Sequence, residues 1–200
     1  MKSAITSVCV YCGSSTGRNG SFVEAGRTLG NHLARAGIRL VYGGGTKGIM
    51  GAVAAGCLEE EGAVTGIIPR FLMNKEATET ALERLDDLIV TDDMHQRKHL
   101  MFDRSDAFVA LPGGIGTLEE IVEIMTWAQL GRHEKPIVLA NLDGFWTPML
   151  LLLEHMKAEG FVHSQNRVRP LVIDRVEDIV PALTKAGSRS EGEAAIIDRL

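Results

Sequence analysis

Three glycine-rich turns hold the residues best suited to gripping an anion. They are Cys12-Gly13-Ser14-Ser15, then Gly43-Gly44-Gly45-Thr46-Lys47-Gly48-Ile49-Met50-Gly51, then Pro112-Gly113-Gly114-Ile115-Gly116-Thr117-Leu118-Glu119-Glu120. Glycine lets backbone N–H groups approach an anion closely, and a helix that follows adds the favourable end of its dipole. One such turn is as well explained by tight strand-to-helix packing; two elaborate ones favour a bound phosphate. Gly43-x-Gly45-x-x-Gly48 has the form of the dinucleotide fingerprint, but the next apolar run ends in Ile67-Ile68-Pro69 instead of an acid that would grip a ribose. The Walker pattern is absent too, because no Gly-Lys-Ser/Thr occurs. A mononucleotide or sugar phosphate fits better.

Charged residues stand beside these turns. Thr117-x-x-Glu120 reads as a capping box, with Glu120 returning a hydrogen bond to the start of a helix. A carboxylate so placed beside an anion site can also take a proton from water or bind sugar hydroxyls. Glu119 and Glu123 share a face by their spacing, while Ile121, Ile124 and Met125 face a core. In Met94-His95-Gln96-Arg97-Lys98-His99, two cations near a helix start oppose its dipole. They serve an anion or a carboxylate, or form a solvated face. His95 and His99 have metal-ligand spacing, but Gln96 stands where a zinc protease carries Glu, and no third ligand is evident. Cys9-x-x-Cys12 runs along a strand, where buried small hydrophobes are expected in place of a redox pair. Trp127 and Trp146 read as core or interface anchors.

The elements that must position these groups follow an alternating pattern. Apolar runs at residues 5–11, 38–42, 63–68, 88–91, 107–111, 137–141 and 172–173 are rich in Val and Ile, as strands covered on both faces are. Amphipathic stretches at 22–36, 49–61, 94–104, 118–130, 147–159 and 176–185 predict helices between them. The repeat implies βαβ units and an α/β fold: a Rossmann-like, doubly wound parallel sheet with helices on both faces. Ligands of such sheets sit beyond the carboxyl ends of the strands, where the three turns lie. Residues 71–87 carry five carboxylates and read as a solvated loop with a short helix.

Composition narrows the class. The 200 residues include 22 glycines, where average usage gives roughly 14. Residues 1–186 are expected to form one nucleotide-binding domain, and residues 187–200, after a Gly-Ser-Arg-Ser break, a mobile tail. A net charge of -5 without a basic run argues against nucleic acid. The longest apolar run, residues 149–153, is far short of the roughly 20 residues of a membrane span. The first residues lack a signal-peptide layout, and three cysteines make no disulfide framework, so a cytoplasmic protein is expected.

Tyr42 through Gly51, Met94-His-Gln-Arg-Lys98 and Pro112 through Glu120, in that order, resemble the LOG ("lonely guy") family, also described as possible lysine decarboxylases. Supporting blocks are Cys12 through Ser15, Ile68-Pro69, Ser105-Asp-Ala-Phe108, Thr126 through Leu130 and Lys135-Pro136; together the similarity covers about residues 5–185. The resemblance implies hydrolysis of the N-glycosidic bond of an N6-modified AMP (a cytokinin riboside 5'-monophosphate), and of AMP, to free base and ribose 5-phosphate. It places the catalytic pair on Arg97 and Glu120. It places nucleotide contacts on Glu76, Lys98, Gly113, Gly114, Ile115, Gly116, Thr117, Leu118, Glu119 and Thr126, and Gly13, Ser14, Gly44 and Gly45 join them as turn residues. Such chemistry needs no metal and no redox cofactor. A homodimer is implied, and the apolar face of Met125, Trp127 and Leu130 is compatible with its contact. A guanidinium beside a developing cation is repulsive, so Arg97 is expected to bind phosphate or to position Glu120 through a bidentate pair. The competing readings are a non-catalytic nucleotide carrier or sensor on the same fold and a pyridoxal phosphate decarboxylase.

Overall fold

The computed structural model describes residues 5–162 and 170–187. The seven strands are β1 (Ser7–Tyr11), β2 (Arg39–Tyr42), β3 (Val64–Pro69), β4 (Asp87–Thr91), β5 (Ala107–Ala110), β6 (Ile137–Ala140) and β7 (Leu171–Ile173). The helices between them are α1 (Ser21–Arg35), α2 (Gly48–Glu59), α3 (Arg70–Glu76), α4 (Glu79–Leu82), α5 (Met94–Asp103), α6 (Ile115–Gln129) and α7 (Thr147–Ala158). A 3-10 turn at Val176–Asp178 leads into a last helix, α8, at residues 179–187. Each expected strand forms within two residues of its expected ends.

All neighbouring strands pair in parallel, in the order β4-β3-β2-β1-β5-β6-β7. The chain steps outward from β1 to β4, returns to the other side of β1, and steps outward again. The reversal lies between β1 and β5, and the crevice at their carboxyl ends is where a doubly wound sheet takes its ligand. The register places Tyr11 beside Ala110 and Val10 beside Tyr42, so the three glycine-rich turns leave the sheet side by side.

Successive strand residues face opposite layers, as the pleat requires. Val8, Val10, Leu40, Tyr42, Val64 and Val109 pack with Leu29 and Leu33 of α1, Val53 and Cys57 of α2, and Ile179 and Leu183 of α8. Cys9, Tyr11, Val41, Ile67, Phe108 and Leu139 pack on the other side with Met101 of α5, Ile121 and Ile124 of α6, Met149 of α7 and Trp146, the residue that caps α7. Helices α1 and α2 meet at Gly30 and Gly56, where a methyl on either would overlap the other helix's backbone. Burying both faces explains why the strands read as continuous apolar runs instead of alternating ones.

One expectation is corrected. Helix α6 starts at Ile115, not near Thr117 or Leu118, with Gly114 as its cap residue and no side-chain cap. The Thr117–Glu120 capping box therefore does not form. Thr117 lies inside the first turn, with its hydroxyl against Gly113, and Glu120 faces inward. Of the apolar face compatible with a dimer contact or with core, Met125 belongs to the core and Trp127 packs edge-on against Phe102 at 4.9 Å between ring centroids, whereas Leu130 is exposed. Residues 71–87 supply α3 and α4 and the first residue of β4. Of the proposed tail, residues 188–200 lie outside the described residues.

Candidate active site

The third turn shows most directly what the crevice can hold. The first intrahelical hydrogen bond of α6 runs from the N–H of Leu118 to the carbonyl of Gly114, 3.0 Å. The N–H groups of Ile115, Gly116 and Thr117 precede it and are the open donors of a helix start. Gly114 and Gly116 have nothing within 4 Å of the place a Cβ would take, and both are exposed. Packing does not require glycine at either position. Glycine there leaves the backbone N–H groups open to close approach.

The second turn is built differently. A methyl on Gly43 would overlap the Arg97 guanidinium; on Gly44 it would lie 2.9 Å from Cβ of Ile68, and on Gly45 2.6 Å from the sulfur of Met50. Gly44 and Gly48 sit at φ +73° and +60°, where side chains are strained. Gly43, Gly44 and Gly45 are all buried. The first turn is also committed inward. The N–H of Gly13 donates to the carbonyl of Pro112 (3.1 Å), and its carbonyl accepts from the N–H of Met50 (3.1 Å). Ser14 is exposed at the rim. Two of the three turns therefore support the crevice from beneath, and the third opens into it.

One helical turn below the open donors lies a buried ion pair. Nη2 of Arg97 on α5 is 3.6 Å from Oε1 of Glu120 on α6, and the two residues are 5% and 8% exposed. This is a single long contact, so the bidentate pair expected from the sequence does not form. Arg97 Nη1 donates to the sulfur of Met94 at 3.7 Å, and its Nε is buried without a partner. A guanidinium held by packing, with donors to spare, is costly to bury and ready to act on a charge. Helix α5 can bring it there because Asp93 caps the helix, accepting from the N–H of Gln96 at 2.8 Å, and because Gly43 leaves room.

Electrostatics around Glu120 follow from this placement. Burial pushes its pKa up to about 7; Arg97 pulls against that, Glu119 and Glu76 reinforce it, and Lys98 opposes it. A carboxyl poised near neutrality can both accept and return a proton. Lys98 donates to Oε1 of Glu119 at 2.5 Å and pairs with Glu123 at 3.1 Å. Burial lowers its pKa, but the two carboxylates outweigh that and hold it above the ordinary value.

Other sequence candidates lie apart from the pair. The hydroxyl of Thr126 donates to the carbonyl of Val122 at 2.8 Å. It stands eleven residues beyond Ile115 on α6, about 16 Å along the helix axis. Glu76 ends α3 beside the second turn, its carbonyl accepting from the N–H of Thr46 at 2.8 Å. His99 pairs with Asp103 at 3.1 Å on an exposed face. Burial pushes the Cys9 and Cys12 thiols well up, which leaves them as inert core residues. The sequence reads the whole second turn as an anion grip and does not reveal the contacts of Gly43 with Arg97 or of Thr46 and Lys47 with α3. A turn that matches a phosphate fingerprint conceals that its glycines accommodate other side chains.

Fold and site together define a doubly wound α/β protein with an open, glycine-lined helix start at its switch point and a buried guanidinium–carboxylate pair beside it. The chain belongs to the LOG family: its residues 50–183 match the family model described as "Possible lysine decarboxylase". It is 47% identical over 166 residues to cytokinin riboside 5'-monophosphate phosphoribohydrolase LOG3 of Arabidopsis thaliana, covering 83% of this chain and 76% of that one. It is 42% identical over 177 residues to the cytokinin riboside 5'-monophosphate phosphoribohydrolase of Rhodococcoides fascians, covering 88% of each. Among solved structures, the molybdenum cofactor carrier protein of Chlamydomonas reinhardtii superposes with a TM-score of 0.66 at 22% identity, covering 90% of this chain and 96% of that one. At that identity the likeness concerns the fold alone.

Proposed function

We propose that the protein is a nucleoside 5'-monophosphate phosphoribohydrolase. It cleaves the N-glycosidic bond of AMP and of N6-modified AMP of the cytokinin type named in its relatives. The observation that carries this reading is the open cradle at Gly114–Gly116 one helical turn from the buried Arg97–Glu120 pair. The first-turn N–H groups of α6 bind the 5'-phosphate, and that remote binding energy fixes the ribose over Glu120. As the C1'–N9 bond breaks, positive charge develops on the sugar, and the carboxylate of Glu120 stabilises it. Glu120 also takes a proton from the attacking water. The oxygen bonds to C1', the bonding electrons leave with the base, and a ring nitrogen of the base takes up a proton. Arg97 lies against Glu120 and keeps it partly ionised at neutral pH; it positions that carboxylate.

Decarboxylation through a lysine Schiff base fits less well. Such a lysine must lose its proton, whereas Lys98, the lysine beside Glu119, is held protonated by two carboxylates. No helix of the described residues is long and apolar enough to cross a membrane; a cytoplasmic enzyme is the proposed setting. A homodimer completes the proposal. Ile115, Leu118 and Val122 form an exposed apolar row on α6, 85%, 40% and 42% exposed, with Thr126 next along it. Thr126 is too far along the helix to meet a nucleotide in its own cradle, and it contacts one from a second copy packed on this row. Incubating the protein with AMP or N6-isopentenyl-AMP and measuring free base and ribose 5-phosphate tests the activity.

A further inference from the structure

The glycine-rich turn after β2 carries two more polar residues, and both reach α3. The N–H of Thr46 donates to the carbonyl of Glu76 at 2.8 Å, and its hydroxyl lies 3.4 Å from the same oxygen. That hydroxyl also accepts from the N–H of Thr78 at 3.1 Å. Nζ of Lys47 donates to the carbonyl of Lys75 at 3.0 Å. The last carbonyls of a helix have no partners within it, and in α3, only seven residues long, Thr46 and Lys47 supply them. The same turn, at Gly43, makes room for Arg97. Its buried glycines and the committed N–H of Thr46 leave little backbone to offer a phosphate.

We propose that Thr46 and Lys47 are positioning residues that hold the end of α3 so that the carboxylate of Glu76 faces the Arg97–Glu120 pair. The turn is thus a bracket for two charged residues: at Gly43 it makes room for Arg97, and at Thr46 and Lys47 it holds the end of α3 that carries Glu76. This rests on the reading of the site as a nucleotide hydrolase. A reaction that builds positive charge on a sugar gains from a second fixed carboxylate. The charge of Glu76 already acts on Glu120, together with those of Arg97 and Lys98 from α5 and of Glu119 from α6; Cys9, Cys12 and Tyr11 of the β1 end are neutral there.

The test is a double-mutant cycle on the full chain with AMP as substrate. Thr46→Val is expected to lower kcat/KM about tenfold, Lys47→Met several-fold, and Thr46→Ser to stay within about twofold of the parent. In a Glu76→Gln background, Thr46→Val adds no further loss. Thr46→Val and Glu76→Gln both move the acidic limb of the kcat/KM profile downward, because each withdraws negative charge from Glu120. Additive losses with an unmoved pH profile would make the hydrogen bonds merely structural and overturn the bracket. Should the parent protein hydrolyse neither AMP nor N6-isopentenyl-AMP, the activity reading fails by itself. The same cycle is then read in AMP affinity by calorimetry, where additivity again overturns the bracket and non-additivity upholds it.

Discussion

Replacing Glu120 by Gln should change how stability depends on pH, and the structure sets the size of the effect. Glu120 is 8% exposed, and its pKa rises from an ordinary 4.5 to about 7 on folding. The folded protein therefore holds this proton more tightly than the unfolded chain. Stability is unaffected by it below about pH 4.5, falls as pH rises through the interval to about 7, and levels above that. At roughly 1.4 kcal/mol for each tenfold difference in proton affinity, ionised Glu120 costs about 3 kcal/mol at pH 8. The neutral amide of Glu120→Gln removes this slope, although it also leaves Arg97 without its carboxylate 3.6 Å away, a cost that does not vary with pH. Urea denaturation of both proteins at pH 5 and pH 8 isolates the term, because every other titrating group cancels in the double difference. The variant should gain about 2–3 kcal/mol on the parent between those pH values, while losing nucleotide hydrolysis. Parallel stability curves would instead show Glu120 to be ionised at no cost.

Further outcomes follow from neighbouring residues. Gly116→Ala, where an added methyl meets nothing within 4 Å, should stabilise the fold by ~0.5–1 kcal/mol in thermal melts. It should nonetheless raise the KM for AMP about tenfold by narrowing the cradle. Gly43→Ala should do the reverse in kind, displacing Arg97, lowering kcat by about 100-fold and costing ~1–3 kcal/mol of stability. Lys98→Met leaves Glu119 and Glu123 facing each other and removes a charge that lowers the Glu120 pKa; the acidic limb of the kcat/KM profile should move upward. Val122→Asp, in the exposed row of α6, should give a monomer in sedimentation velocity with the far-UV spectrum unchanged.

The sheet was legible because its strands are buried on both faces, so that Val- and Ile-rich runs without polar alternation mark them. The start of α6 was not, because it carries glycine where a capping side chain would announce it, and the Thr117–Glu120 spacing imitated a cap one turn too late. The turns were visible as glycine-rich but not separable. Sequence shows the same residue in Gly43, which yields space to Arg97, and in Gly116, which faces nothing. Much of the glycine surplus proves to be close packing, as at Gly30 and Gly56 between α1 and α2. Arg97 and Glu120 could be named as a pair through the family resemblance, but their burial, their single 3.6 Å contact and the near-neutral carboxyl depend on elements distant in sequence. The role of Thr46 and Lys47 was hidden for the same reason, since the carbonyls they reach in α3 lie 30 and 28 residues further along the chain.

Hydrolysis of a nucleoside 5'-monophosphate, with Glu120 as the acting carboxylate, is the proposed reaction of this site. Incubation with AMP and with N6-isopentenyl-AMP, followed by quantification of free base and ribose 5-phosphate, tests it most directly. The parent protein should release the two products in equal amounts, and Glu120→Gln should bind AMP yet release neither. Binding without product by the parent would rule out the hydrolase, and undiminished turnover by Glu120→Gln would rule out Glu120 as its acting carboxylate.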